Sequence, residues 1–116
     1  MNQPITKSVL SDSQSRLVEL LQRLNFGRVE GLHVRNGEPV FDPAPRVVQK
    51  VKMGADNSPR PEAALRDFLL KHQTIEMLQA IADLGEGKVL TIEVKNGLCF
   101  SLELEHRFPS VGGSHD

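Results

Sequence analysis

An Asn-Gly dipeptide occurs twice in this sequence, sixty residues apart, each time between two short runs rich in apolar residues. The first is Asn36-Gly37 and the second is Asn96-Gly97. Asn-Gly flanked by alternating apolar residues is a strong short-range signal for a β-hairpin, because both residues accept the positive φ angles of a tight turn. We therefore expect two antiparallel hairpins.

The similarity extends to the residues before each turn. At a constant offset of sixty, segments 17–41 and 77–101 are identical at six of 25 positions, where ordinary composition predicts about one or two. Two interpretations remain open: an internal α-β-β duplication, or two unrelated units whose helix caps and turns require the same residues. In the first segment the identical positions are Leu24, Gly27, Val29, Val34, Asn36 and Gly37.

The loop of the second hairpin is predicted to have three residues rather than two. A two-residue turn would place Val94 opposite Cys99 and mix charged and apolar side chains on both faces of the hairpin. A three-residue loop over 95–97 collects the apolar side chains on one face and places Cys99 on the polar face. In the first hairpin both loop lengths remain reasonable. A three-residue loop places Leu32 opposite Val40, and a two-residue loop places it opposite Phe41.

Two helices and a third strand complete the predicted elements. Ser11 and Gln14 fit a capping box at the start of a first helix, with Leu10 as its hydrophobic staple and Gly27 near its C-terminal cap. The segment 61–85 predicts a second helix of roughly 24 residues with a kink near residues 72–74. The alternation in segment 46–53 predicts the third strand.

These elements define an α+β fold with two layers. We expect an antiparallel sheet of about five strands with the two helices on one face, in the order α-β-β-β-α-β-β. At 116 residues the chain is long enough for one core. Residues 11–106 are predicted to form a single domain, between a flexible N-terminus (1–10) and a flexible C-terminal tail (107–116).

Composition restricts the classes of function. The chain is 39% hydrophobic and 25% charged with a net charge of −1, which gives no general reason to bind a polyanion. It contains no apolar run of the ~20 residues that span a bilayer and no signal-peptide pattern, so a cytoplasmic protein is expected. Cys99 is the single cysteine, which excludes an intramolecular disulfide and a cysteine-rich zinc site.

No catalytic or cofactor-binding motif is present. The four histidines are scattered, and none lies in a helical H-x-x-x-H or H-E-x-x-H arrangement. His72 is expected to be a boundary histidine one turn before Glu76, and Cys99 a half-exposed thiol whose neighbouring carboxylates oppose thiolate formation. The sequence therefore predicts no enzyme, no metal and no cofactor.

The segment 46–60 is the one basic region. Four basic residues and one acidic residue give it a net charge of +3, which leaves −4 on the other residues. Against a nucleic-acid site, Pro59 and Pro61 remove two backbone donors, and no aromatic residue is interleaved for base stacking. Lysines on an edge strand also prevent unwanted strand pairing. The candidate binding residues are Arg46, Lys50, Lys52 and Arg60.

A small complete fold without a catalytic constellation favours a non-catalytic protein-binding module of adaptor, chaperone or inhibitor type. An open sheet edge could accept a strand from another protein or from a second copy in a homodimer. Nucleic-acid binding through the basic segment is the alternative function, and no membrane partner is expected.

Overall fold

The computed structural model of the protein describes residues 10–55 and 71–106. It contains two helices and a five-stranded antiparallel sheet, so the predicted α+β class and element order are confirmed. The predicted flexible segments 1–9 and 107–116 lie outside the described residues. Within those residues, no helix is long and apolar enough to cross a membrane. The elements are α1 (Asp12–Leu24), β1 (Gly27–Arg35), β2 (Glu38–Val40), β3 (Arg46–Gln49), α2 (His72–Leu84), β4 (Gly87–Lys95) and β5 (Leu98–His106).

The centre of the sheet is the antiparallel pair β1 and β4. The strand order is β2-β1-β4-β5, and β3 pairs with the other end of β1 on the same side as β2. Gly27 pairs with Val94, and Val34 pairs with Gly87. Gly87 lies sixty residues after Gly27, and Val94 lies sixty residues after Val34, so each pair is the counterpart of the other. The two strands are therefore related by an approximate two-fold axis. The sheet therefore has one edge formed by β2 and β3 and another formed by β5.

The two halves of the chain, residues 10–55 and 71–106, have the same backbone path through most of their length. Both helices have 13 residues and begin sixty residues apart, as do β1 and β4. The φ angles of the turns also agree: 55° at Asn36 and 54° at Asn96, then 73° at Gly37 and 75° at Gly97. Positive φ at both central residues makes each turn a two-residue hairpin turn of the type favoured by Asn-Gly. We call residues at this offset equivalent.

Each hairpin turn closes on the helix of the other half. The backbone N–H of Gly37 donates to the carbonyl oxygen of Gly85, and that of Gly97 donates to the carbonyl oxygen of Asn25, both at 2.9 Å. Asn25 and Gly85 have positive φ and end α1 and α2. The prediction that Gly27 serves the cap of the first helix is therefore wrong, because the chain already turns at Asn25.

The halves differ after the hairpin turn. Gly27 pairs with Gln49, and its equivalent, Gly87, pairs with His106. These two partners, Gln49 and His106, are 57 residues apart instead of sixty. The first half therefore has three additional residues between its second and third strands. This insertion falls in segment 41–45, which contains two prolines and separates β2 from β3. In the second half, β5 continues without interruption.

The core lies between the helices and one face of the sheet. Both helices and strands β1, β4 and β5 contribute to one cluster of buried side chains, and Leu10 and Phe41 pack at its margin. The predicted capping box is confirmed: the Ser11 side chain accepts from the Gln14 backbone, and the Gln14 side chain accepts from the Ser11 backbone. The most deeply buried side chains are Leu17, Leu21, Val29, Leu32, Met77, Ile81, Val89 and Ile92.

The predicted three-residue loop in the second hairpin is wrong. Val94 pairs with Cys99, as in a two-residue turn, and Cys99 is only 8% exposed on the core side. A regular hairpin in this register would mix charged and apolar side chains on both faces. Two bulges, at Leu90 and at Phe100, prevent this, because each extra residue reverses which side chains of its strand face the core beyond it. Ile92 thus faces Leu102 in the core, while Leu90 and Phe100 are exposed.

Two predicted elements are shorter than expected. Lys71 is extended (φ −71°, ψ 156°), so α2 begins at His72 and a continuous helix over 61–85 is wrong there. Residues 61–70 lie outside the described residues. The third strand ends at Gln49, because β1 begins at Gly27 and provides no pairing partner beyond it. The last hydrogen bond next to this pair joins the Lys50 N–H to the Phe26 carbonyl oxygen at 2.8 Å.

Candidate protein-binding surfaces

The basic segment lies at the edge formed by β2 and β3. Arg46 is on β3, with its Nε 3.6 Å from Oε1 of Glu30, while Lys50 and Lys52 follow the strand and are exposed. The Lys52 ammonium lies 5.2 Å from the centre of the Phe26 ring. Arg60 lies outside the described residues. The structure thus brings three of the four candidate residues to one edge and adds an aromatic ring that their sequence neighbourhood lacks.

Formal charge is distributed unequally between the halves. The first half has seven basic and five acidic residues, whereas the second has three basic and six acidic residues. The described part of the first half therefore carries a net charge of +2, and that of the second half carries −3. Only part of this asymmetry lies in segment 46–60.

β5 is the longer and more regular edge. It has nine residues without proline, and in the described part of the chain it pairs with β4 alone. Its side chains alternate past Phe100: Leu102 and Leu104 are partly buried against the core, whereas Ser101, Glu103 and Glu105 are exposed. Backbone groups on its outer side can therefore pair with an added strand.

Two exposed apolar side chains mark the bulges of the second hairpin. Phe100 is 62% exposed and Leu90 is 41% exposed. The Lys95 ammonium lies 3.9 Å from the centre of the Phe100 ring, a cation-π contact that covers part of one ring face. These side chains sit outside the core because the bulges turn them away from it.

An apolar groove separates α1 from the segment between β2 and β3. It has a volume of about 340 Å³. The Arg16 guanidinium carbon lies 4.7 Å from the centre of the Phe41 ring at its margin, and Val47 in its wall is 44% exposed. The groove is lined by Arg16, Glu19, Leu20, Arg23, Phe41, Ala44, Pro45 and Val47.

A larger polar cleft of about 710 Å³ lies where β1 ends and β4 begins. Its charged lining is mixed, with Arg35 and Lys88 beside Asp42, Glu86 and Glu105. One of these carboxylates, that of Glu86, accepts from the Asn36 backbone N–H at 2.9 Å. The mixture gives the cleft no clear preference for one ligand charge.

The residues considered for chemistry are not brought together. His72 is exposed, with Nε2 3.2 Å from Oε2 of Glu76. Burial, with a smaller effect of the Glu76 charge, raises the pKa of the Cys99 thiol to about 11. The predicted half-exposed thiol on the polar face is therefore wrong, since the observed register turns Cys99 inward. Among residues 10–55 and 71–106, no group of three or more His, Cys, Asp or Glu could hold a metal ion.

No family model, curated protein or solved structure matches this chain. Among the surfaces of the described residues, the β5 edge and the groove beside α1 have the most definite geometry.

Proposed function

We propose that this protein is a non-catalytic protein-binding module, of adaptor, chaperone or inhibitor type, that binds an extended segment of its partner along β5. The supporting observation is the nine-residue edge, which is free of proline and paired on one side only within the described chain. An incoming strand would gain main-chain hydrogen bonds along this edge, and its alternate side chains would meet the two faces of the sheet.

The contrast with the opposite edge supports this choice. β2 and β3 have three and four residues, and prolines at 39, 43 and 45 interrupt their edge. Short strands and prolines are features that protect a sheet from unwanted pairing. Strand addition is therefore expected at β5 rather than at the edge formed by β2 and β3.

A second copy of the chain is one form of this partner. Two β5 strands could pair antiparallel around a two-fold axis, the common symmetry of homodimers. An isologous contact of this kind would extend the sheet across both copies. It would leave the helix-covered face of each copy unchanged.

Photocrosslinking tests the proposed edge. A benzoylphenylalanine at Ser101, on exposed β5, should form a discrete adduct in an extract of the source cells, whereas one at Gln79, exposed on α2, should not. An adduct of twice the 12.9 kDa chain mass identifies a second copy. In the recovered complex, amide exchange within 98–106 should be slower than in the free protein, and unchanged exchange there contradicts strand addition.

We further infer that the fold arose by duplication of an α-β-β unit. The support is the agreement of element boundaries, turn angles and reciprocal hydrogen bonds at one offset. Shared requirements of caps and turns explain the glycines and asparagines, but they do not require two helices of equal length to begin sixty residues apart.

Nucleic-acid binding is the second candidate function. The specific observation in its favour is the contact between Lys52 and the Phe26 ring beside Lys50, because aromatic rings and cations together bind single strands. Titration with single-stranded DNA and RNA at low and moderate salt tests it. Binding should weaken steeply with salt and with K50E/K52E, but not with the matched exposed variant K71E. Absence of binding at low salt removes this candidate.

A further inference from the structure

We propose that the groove beside α1 is a second docking site, which binds an acidic segment of a partner protein that carries an apolar residue between its carboxylates. This site lies on a different surface from the β5 edge. It therefore does not depend on strand addition.

The groove results from the insertion that distinguishes the first half from the second. The additional residues lie in segment 41–45, of which Phe41, Ala44 and Pro45 line the groove. In the second half β5 is continuous, and Leu104, which corresponds to Val47, is partly buried in the same layer. The shared fold alone does not produce the opening.

The charges beside the groove are also particular to the first half. Arg16 and Arg23 are exposed on α1, and their equivalents on α2 are Glu76 and Asp83, which are exposed as well. The same positions on two helices of equal length thus carry opposite charges. The arginines therefore distinguish α1 from α2, and they give this groove a preference for anions.

The spacing of the arginines indicates what the ligand should look like. Residues seven apart lie about 10.5 Å apart along a helix axis, on nearly the same side. Two carboxylates of a bound segment about that far apart could each meet one guanidinium in a charge-assisted hydrogen bond. The apolar residue between them would contact Leu20, Phe41 and Val47.

The contact of Arg16 with Phe41 is compatible with this role. The guanidinium carbon is stacked over the ring, and a stacked guanidinium keeps the N–H groups at its edge directed outward. Glu19, between the two arginines, also lines the groove, and its negative charge reduces the local preference for anions.

Selection from a random peptide library tests the proposal with the full chain as bait. Enriched peptides should contain acidic residues around an apolar residue. They should lose at least about tenfold in affinity for R16E/R23D, or about 1.4 kcal/mol. The matched control is E76R/D83R, which changes the equivalent positions of α2 and should bind these peptides as the unmodified protein does.

Three results would overturn the proposal: no enrichment of acidic peptides, equal affinity for R16E/R23D, or a loss confined to E76R/D83R. All four substituted side chains are exposed, so the variants are expected to fold, and circular dichroism verifies this. A peptide that protects amides 98–106 from exchange occupies the β5 edge instead. Failure of the groove therefore remains distinguishable from failure of strand addition.

Discussion

The backbone nitrogen of Gly37 lies 2.9 Å from the carbonyl oxygen of Gly85, which joins the first hairpin turn to the end of the second helix. The equivalent bond joins Gly97 to Asn25 at the same distance. Each half thus satisfies a carbonyl at the end of the other half's helix, where intrahelical partners run out. The two halves are therefore expected to unfold in one transition.

Replacement of Gly37 by alanine should destabilise the protein more than replacement of Gly31. Both glycines have φ of 73°, a left-handed conformation that costs other residues about 1–2 kcal/mol. A Cβ at Gly37 would also lie 3.2 Å from the Ala82 backbone, whereas one at Gly31 would meet nothing within 4 Å. Urea unfolding should show the greater loss for G37A. Equal losses would mean that the contact with α2 adds nothing.

The N-terminal caps of the helices provide a matched pair of predictions. Ser11 caps α1, whereas its equivalent, Lys71, has the same extended backbone but makes no side-chain capping bond. S11A should lower the free energy of unfolding by about 1 kcal/mol, and K71S should raise it by up to a similar amount. Thermal unfolding of both variants checks this; destabilisation by K71S would contradict it.

Glu38 should make stability depend on pH. Hydrogen bonds from the hydroxyls of Ser13 and Ser11 lower its pKa below the ordinary 4.5. A carboxyl with a lowered folded pKa contributes stability above its unfolded pKa and loses that contribution as pH falls through the folded value. Because this carboxyl is largely solvated and the glutamine oxygen can still accept both bonds, E38Q should be less stable at neutral pH by only about 0.3 kcal/mol, with the difference shrinking below about pH 4.5. The exposed E103Q is the control and should follow the unmodified protein.

Cys99 should be nearly inert in the folded protein. With its pKa at about 11, on the order of 0.1% of the thiol is ionised near pH 8, and only the thiolate reacts. Iodoacetamide should modify Cys99 at least about a hundredfold more slowly in buffer than in concentrated guanidinium. Comparable rates in the two conditions would show that the thiol is accessible in the folded state.

Gln22 offers an opportunity to stabilise the fold. Its side chain is 3% exposed, and its Oε1 has no hydrogen-bond partner among the residues that the structure describes. An unpaired buried acceptor costs about 1–3 kcal/mol, so Q22L should raise the free energy of unfolding if the apolar side chain fills the same space. Chemical denaturation measures the change, and a loss of stability would mean that the amide nitrogen contributes more than the oxygen costs.

Local signals predicted much of the fold. The sequence correctly predicts the capping box at Ser11 and the positions of the two Asn-Gly hairpins, because each depends on residues a few positions apart. The candidate surfaces were harder to predict. Phe26 meets Lys52, and Arg16 meets Phe41, only after folding, and neither pair is visible as a sequence motif.

The sequence by itself determined the order of the elements, the start of the first helix and the positions of both turns, since these depend on local backbone preferences. Only the tertiary structure decided the register of β5, the burial of Cys99 and the pairing of β1 with β4. The physical reason is that a bulge costs little locally but reverses every side chain beyond it. The favoured Asn-Gly turn, fixed by the bond from Gly97 to Asn25, was kept, and the bulges at Leu90 and Phe100 restored the apolar face.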